Sequence, residues 1–315
     1  YDGTASSLLV EPERTNLIPY SEDFTTGSWS SFSVGTTPTL TSGFTAPDGS
    51  SNAYKISNPN KDSLWGYDGV ADTNYARTIY ARTVSGTGTI SLLSKNGNAD
   101  NVFSLTESWQ RFEVNTAALV PNIFYAVDFR VSGNLTELLI WGGQSEVGSY
   151  PTSYIPTSGS TVTRVQDQYS KTGISNLIGQ TEGTVFVDVD FDTLSGLNMF
   201  LSIRPDASNK IEIYRDSNII YGEIASSSSF SFSKTGVTVG RYKIAVAYSS
   251  GSNVMYINGD LISSNSTPFT FTSTLNSLYV GSRGGTSFIE QSRYNDIKLY
   301  KTRLSNSELV TLTTI

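Results

Sequence analysis

Neither cysteine nor histidine occurs anywhere in the 315 residues. The missing cysteine removes disulfides and thiolate chemistry, and leaves the redox compartment unreadable. The missing histidine excludes hydrolase triads built on an imidazole base, and excludes His-based zinc sites. Charge is also thin: 21 basic against 28 acidic residues give a net charge of −7. The basic residues form no run, which argues against nucleic acid, because phosphate contacts need clustered Lys and Arg. No apolar stretch approaches the roughly 20 residues of a membrane-spanning helix, so no membrane insertion is expected. Nothing at the start has the pattern of a signal peptide. The chain opens at Tyr1 rather than Met, which reads as a processed product or a cut fragment.

What is present is organised around one stretch. The apolar run Leu139-Ile140-Trp141 gives way to Gly142-Gly143-Gln144, then to Gly148-Ser149-Tyr150-Pro151-Thr152-Ser153-Tyr154-Ile155-Pro156-Thr157. Proline removes a backbone donor and holds the residue before it extended, so no helix crosses this segment. Leu138 to Gln144 therefore reads as the last strand of one domain, and Pro151 to Val165 as an ordered connector. A second domain begins near Glu182. The length supports the division, since single cores stop growing near about 250 to 300 residues. The expected domains are 1–150 and 182–315, with 151–181 between them.

Both parts read as short strands split by Gly, Asn and Ser, the pattern of an all-β fold of two tandem, jelly-roll-like β-sandwiches. In the first, Ile79, Ala81 and Thr83 alternate with Thr78, Tyr80 and Arg82, and Phe112 and Val114 share a face. Tyr125, Val127, Phe129 and Val131 share another face, and Lys95-Asn96-Gly97-Asn98 reads as a turn. In the second, Val185, Val187, Val189 and Phe191 predict a strand with one buried face and one largely wet face. Tyr242, Ile244, Val246 and Tyr248 line a further strand, and Asn258-Gly259 is a tight hairpin turn. The one expected helix is short and C-terminal. Ser305 and Glu308 form a capping box, Leu304 and Leu309 a hydrophobic staple, and the helix is expected at a sheet edge or the sandwich rim.

These residues resemble a two-part arrangement found in virion proteins of tailed bacteriophages. Glu11-Pro12-Glu13-Arg14-Thr15-Asn16-Leu17-Ile18, Ser21-Glu22-Asp23-Phe24, Trp29, Ser108-Trp109-Gln110-Arg111 and the Trp141–Thr157 stretch look like a carbohydrate-binding-module-like sandwich. Glu182-Gly183-Thr184, Tyr256-Ile257-Asn258-Gly259, Val280-Gly281 and Leu299-Tyr300 look like a concanavalin A-like or laminin G-like domain. The resemblance implies a tail, fibre or decoration protein, virion-borne and extracellular. Its implied partners are a cell-surface glycan or polysaccharide, other virion proteins and further copies of itself. Calcium is the one ion such families commonly carry. The acids Glu22 and Asp23 lie near the place where first-domain relatives bind it, but Trp141-Gly142-Gly143-Gln144 replaces the relatives' aspartate-bearing strand, and no metal ligand is assigned.

Three groups of residues are candidates for chemistry. Asp188, Asp190 and Asp192 share one strand face at roughly 5 to 7 Å, a spacing that suits paired-carboxylate glycosidases. Those enzymes place glutamates there, and a solvated sheet face explains three aspartates more simply. Trp29, Trp109 and Trp141 coincide with the strand framework and read as core. Trp65, Tyr67 and Asp68 lie in Lys61–Gly69, a loop-like segment in which both rings are candidates for stacking on sugar C–H faces. Arg283, in Gly281–Phe288, is a candidate contact for an acidic sugar, set against a plain mobile surface turn. The expected function is non-enzymatic, lectin-like binding of surface carbohydrate. The rivals are a polysaccharide-cleaving sandwich using the Asp188 strand, and a purely architectural virion protein.

Overall fold

The computed structural model describes residues 7–32, 35–68, 75–93, 101–115, 123–285 and 287–315. It is almost wholly β, as the alternation predicts. The chain forms two compact units, Glu13–Val165 and Tyr1–Pro12 with Gln166–Ile315. It opens with β1 (Leu8–Val10), which belongs to the second of these. The Lys95–Asn98 turn lies outside the described residues.

The Glu13–Val165 unit holds β2 (Arg14–Asn16), β3 (Trp29–Ser31), β4 (Thr39–Phe44), β5 (Ala53–Ser57), β6 (Leu64–Asp68) and β7 (Tyr75–Arg82). It continues through β8 (Gly88–Leu92), β9 (Val102–Leu105), β10 (Gln110–Val114), β11 (Ile123–Asp128), β12 (Glu137–Val147) and β13 (Val162–Arg164). One sheet runs β10-β7-β12-β5-β4 and the other β3-β6-β11-β8-β9, while β2 and β13 pair separately. The core between the two main sheets takes Ile79, Ala81, Phe112, Leu138 and Ile140 from the first. Trp65, Tyr67, Ile90, Leu92 and Val127 come from the second. A bulge after Tyr125 interrupts the expected alternation. Ala126, Val127 and Phe129 reach the core, whereas Tyr125 stacks on Phe32 at 6.4 Å.

The other unit holds β14 (Tyr169–Thr172), β15 (Glu182–Phe191), β16 (Leu197–Ile203), β17 (Lys210–Asp216), β18 (Ile219–Ala225) and β19 (Phe230–Thr235). Beyond them lie β20 (Gly240–Ser249), β21 (Asn253–Ile257), β22 (Asp260–Asn265), β23 (Ser277–Val280), β24 (Ser292–Tyr300) and α1 (Asn306–Thr313). Its sheets are β1-β24-β15-β20-β21-β22 and β14-β23-β16-β17-β18-β19. Val185, Val187, Val189 and Phe191 face Ile211, Ile213, Ile220 and Ile224 across the core. Asn258 (φ 52°) and Gly259 (φ 89°) supply the two left-handed residues of the β21–β22 hairpin, as their sequence demands.

Three expectations change. The boundary falls at Val165/Gln166, not at two ends of a separate 151–181 connector. Residues 151–165 belong to the first sandwich: Ile155 N donates to Gln144 Oε1 at 2.6 Å, and Thr152 N to Glu146 Oε2 at 2.8 Å. Residues 166–181 belong to the second, where β14 extends a sheet and Ile174 and Ile178 enter the core. The face of β15 opposite its valines is also less wet than the pattern suggests, for Phe186 and Asp188 are buried. Phe186 is covered by α1, whose Leu309 packs on Phe186, Ala245, Ala247, Val254 and Tyr256. The helix thus lies on the outer sheet face, where small alanines make room for it, and not at an edge or rim. Its capping box forms as expected, with Ser305 N donating to Glu308 Oε2 at 2.8 Å.

Candidate functional site

Trp65 and Tyr67 are not loop residues. They alternate inward on β6, 8% and 7% exposed, within the core between the two sheets. The Trp65 indole Nε1 donates to Phe24 O at 3.1 Å, and Tyr67 packs edge-on against Trp29 at 5.3 Å. Gly66 between them pairs with Tyr125 and Ser30 inside a sheet, so it marks a packed strand and not a turn. Asp68 is the exposed end of β6. Trp29 and Trp141 are buried as expected, whereas Trp109 is half-buried with the Arg82 guanidinium 5.5 Å from its ring.

Two of the three aspartates, Asp188 on β15 and Asp192 just past its end, are engaged by cations. Arg241 grips Asp188 bidentately, Nε to Oδ1 at 2.8 Å and Nη2 to Oδ2 at 2.6 Å, and Asn295 adds a bond at 3.3 Å. Burial by itself would raise the Asp188 pKa, but these donors outweigh it and hold the carboxyl below its usual range. Asp192 pairs with Arg293 at 3.3 Å. A carboxylate locked by a fork of donors suits a structural tie better than proton transfer.

Arg283 leads to a different place. Residues Gly281–Phe288 close into a small hairpin in which Arg283 N donates to Ser287 O at 3.0 Å and Ser287 Oγ to Arg283 O at 3.2 Å. Gly281 (φ 70°) is required at its base, since a Cβ there would meet Val10 Cγ1 at 2.6 Å. Thr286 lies outside the described residues. Phe288 adopts φ 64°, a conformation a bulky residue rarely holds without a constraint from its surroundings. Its ring lies 4.8 Å from the Arg283 guanidinium, which lies 5.7 Å from the ring of Tyr214. Tyr214 in turn stacks on Tyr221, its cross-strand partner, at 5.0 Å and 19°. The result is a four-layer stack of ring, cation, ring and ring.

The stack stands on the outer face of β16, β17 and β18. Alternation sends Ile211, Ile213, Ile220 and Ile224 into the core, which turns Glu212, Tyr214, Tyr221 and Glu223 outward. One register row is polar at every strand: Ser170, Tyr279, Ser202, Glu212, Glu223 and Ser231. At its centre Glu212 has no exposed surface. Lys210 Nζ and Arg283 Nη2 each reach its Oε2 at 3.0 Å, Arg204 Nη1 reaches Oε1 at 3.6 Å, and Ser202 Oγ donates to Oε1 at 2.9 Å. Lys210 also bridges to Glu223 at 2.9 Å. Three cations meet two carboxylates in this cluster. Burial pushes the Tyr214 hydroxyl up to about 12, and the charge of Glu223 adds to it. Beside the tyrosines, Glu223, Phe230 and Ser231 help to enclose a groove of about 330 Å³.

Buried ion pairs seldom outperform apolar packing for stability, and the centre of this network, Glu212, is wholly buried. Arg283 Nε is buried and has no hydrogen-bond partner among the described residues. Sequence alternation at Ile211-Glu212-Ile213-Tyr214 already separates these faces. Nothing local shows that Arg204, Lys210 and Arg283 converge on Glu212.

Fold and face together define an all-β protein with two sandwiches, one of which presents a charged aromatic surface. No protein-family model and no curated protein matches the chain. Among solved structures, it is similar to the CBM40 domain of Ruminococcus gnavus IT-sialidase bound to α2,3-sialyllactose. The identity is 14% and the TM-score 0.40, over 47% of this chain and 97% of that one. It is similar to leech intramolecular trans-sialidase at 17% identity and TM-score 0.41, over 47% of this chain and 26% of that one. The binding domain of botulinum neurotoxin serotype D follows at 12% and 0.36, over 42% and 36%. Likenesses of this degree carry neither ligand nor activity to the present chain.

Proposed function

We propose that this chain is a non-enzymatic glycan-binding protein of a tailed-phage virion, and that its Gln166–Ile315 sandwich holds an acidic saccharide against the Phe288–Arg283–Tyr214–Tyr221 stack. The observation that carries the binding reading is Arg283, pinned between two rings and to buried Glu212 while its side chain stays 24% exposed. A sugar carboxylate would take the surface guanidinium donor that Glu212 leaves open, and its apolar C–H face would lie on the exposed Phe288 ring. The pairing of Asp188 and Asp192 with arginines supports the non-enzymatic part. The tail or fibre setting rests on the sequence segments quoted above, and the protein would act there in many copies. One shallow site gives dissociation constants of about 10 μM to 1 mM, and multivalent display raises the avidity.

A glycan array with sialylated, uronate-containing and neutral saccharides tests this. Acidic glycans should be retained. Tyr221→Ala and Arg283→Lys should each weaken binding about tenfold or more while circular dichroism stays that of the native protein, since Lys keeps the charge but loses the fork and the stacking. Equal retention of neutral and acidic glycans, or full binding by Tyr221→Ala, would overturn the reading.

A further inference from the structure

The Glu13–Val165 unit carries an acidic concavity. Tyr20, Glu22, Asp23, Ser51, Asn52 and Tyr54 are among the residues around a cavity of about 400 Å³. It forms where Tyr20–Asp23 and Tyr154–Ser158 come together. Thr157 N donates to Ser21 Oγ at 2.9 Å, and Ser21 Oγ lies 2.7 Å from Tyr154 OH. The next residue, Glu22, is held at both oxygens: Tyr154 OH donates to Oε1 at 3.0 Å and Asn52 Nδ2 to Oε2 at 2.7 Å. Asn52 is fixed from behind by the Trp141 indole, Nε1 to Oδ1 at 2.8 Å. Asp23 Oδ1 accepts from Thr25 N at 2.9 Å, Thr25 Oγ1 at 2.7 Å and Tyr54 OH at 3.0 Å, and Oδ2 accepts from Thr26 Oγ1 at 2.6 Å.

Two anchored carboxylates therefore border one open cavity, and neither forms an ion pair with a described Lys or Arg. A carboxylate offers about four lone-pair directions, and Glu22 uses two of them here. The unfilled capacity suits a ligand rich in hydroxyl donors. Two uncompensated negative charges repel carboxylate, sulfate and phosphate, so this pocket selects against the ligand class proposed for the other sandwich. The rings of Tyr20 and Tyr54 add apolar surface to the cavity wall. Among the described residues no three carboxylates group as a metal would need. We infer that the pocket binds a neutral saccharide, with sugar hydroxyls donating to Glu22, independently of the acidic-glycan face.

The test uses the full chain in calcium-free buffer with EDTA. Methyl glycosides of glucose, galactose and mannose are titrated and followed by saturation-transfer NMR. At least one should bind, with a dissociation constant of about 1 mM. Ser51 sits on the exposed rim and its side chain makes no hydrogen bond to a described residue, so Ser51→Leu should block the cavity, weaken binding at least tenfold and leave the melting curve in place. Glu22→Gln keeps the shape but removes the charge, and should also weaken binding. Tyr221→Ala should have no effect, which separates this inference from the reading of the other face. Absence of binding by all three sugars would overturn the inference. So would binding that appears only with added calcium, or that survives Ser51→Leu unchanged.

Discussion

Asp23 shows at the scale of one residue how neighbours set a charge. Burial by itself would raise its pKa, but hydrogen bonds from Thr26, Thr25 and Tyr54 overcome that and bring it to about 2, from 3.8. A depressed folded-state pKa adds stability that is complete above the unfolded value and is lost as pH falls through the folded one. Asp23 should therefore contribute about 1 kcal/mol above about pH 4, declining towards pH 2, because solvent screens its partly exposed carboxyl. Urea denaturation of the wild type and Asp23→Asn at pH 5 and pH 2 measures it. The gap between the two proteins should narrow at pH 2, and a gap that is the same at both values would mean that these hydrogen bonds do not favour the charged form. Trp65 illustrates the opposite limit of residue-level reading. Its neighbours in sequence, Gly66 and Asp68, suggest a loop, but the ring is buried because β6 pairs with β3 on one side and β11 on the other.

At the scale of elements, alternation and capping carried most of the information. The β15 valines and the isoleucines of β17 and β18 point where period-2 patterning sends them, since successive side chains of a strand must face opposite ways. Helix α1 is legible from Ser305 and Glu308, whose reciprocal bonds satisfy amides that an eight-residue helix otherwise leaves open. Ser305→Ala should cost about 1 kcal/mol, read as a lower urea midpoint with an unchanged slope. The effect reaches the sheet because Leu309 covers Phe186. A change below about 0.2 kcal/mol would show that α1 is held by packing alone. The place where the helix docks was not legible. It follows from Ala245 and Ala247 on β20 making a recess, a fact about a face and not about the helix sequence.

For the whole molecule the decisive feature is that each unit borrows chain from beyond its apparent boundary. The Glu13–Val165 sandwich needs residues 151–157: Asn16 Nδ2 donates to Ile155 O at 2.9 Å, and Thr157 Oγ1 to Ile18 O at 2.5 Å. Fragment 13–165 should melt cooperatively, whereas fragment 1–150 should lack a sharp transition, because it strands these buried polar groups and removes Ile155 from its site. Thermal melts by circular dichroism compare the two. Equal cooperativity would show the 151–157 segment to be dispensable. The same reasoning applies to β1, which pairs with β24 from far away in sequence and places Val10 in the core.

The sequence by itself determined the all-β class, the two-sandwich plan, the Asn258–Gly259 hairpin and the capped helix. Each depends on residues close together, through backbone sterics, turn chemistry and the two-residue period of a strand. It also narrowed the chemistry by lacking histidine and cysteine. Only the tertiary structure decided that Trp65 lies inside, that Arg283 stacks between Phe288 and Tyr214, and that Glu22 faces a cavity. Those outcomes depend on which strands become neighbours. Arg204, Lys210 and Arg283 meet at Glu212 from three separate stretches of chain, so the charge of that face exists only once the sheet and its flanking hairpin have formed.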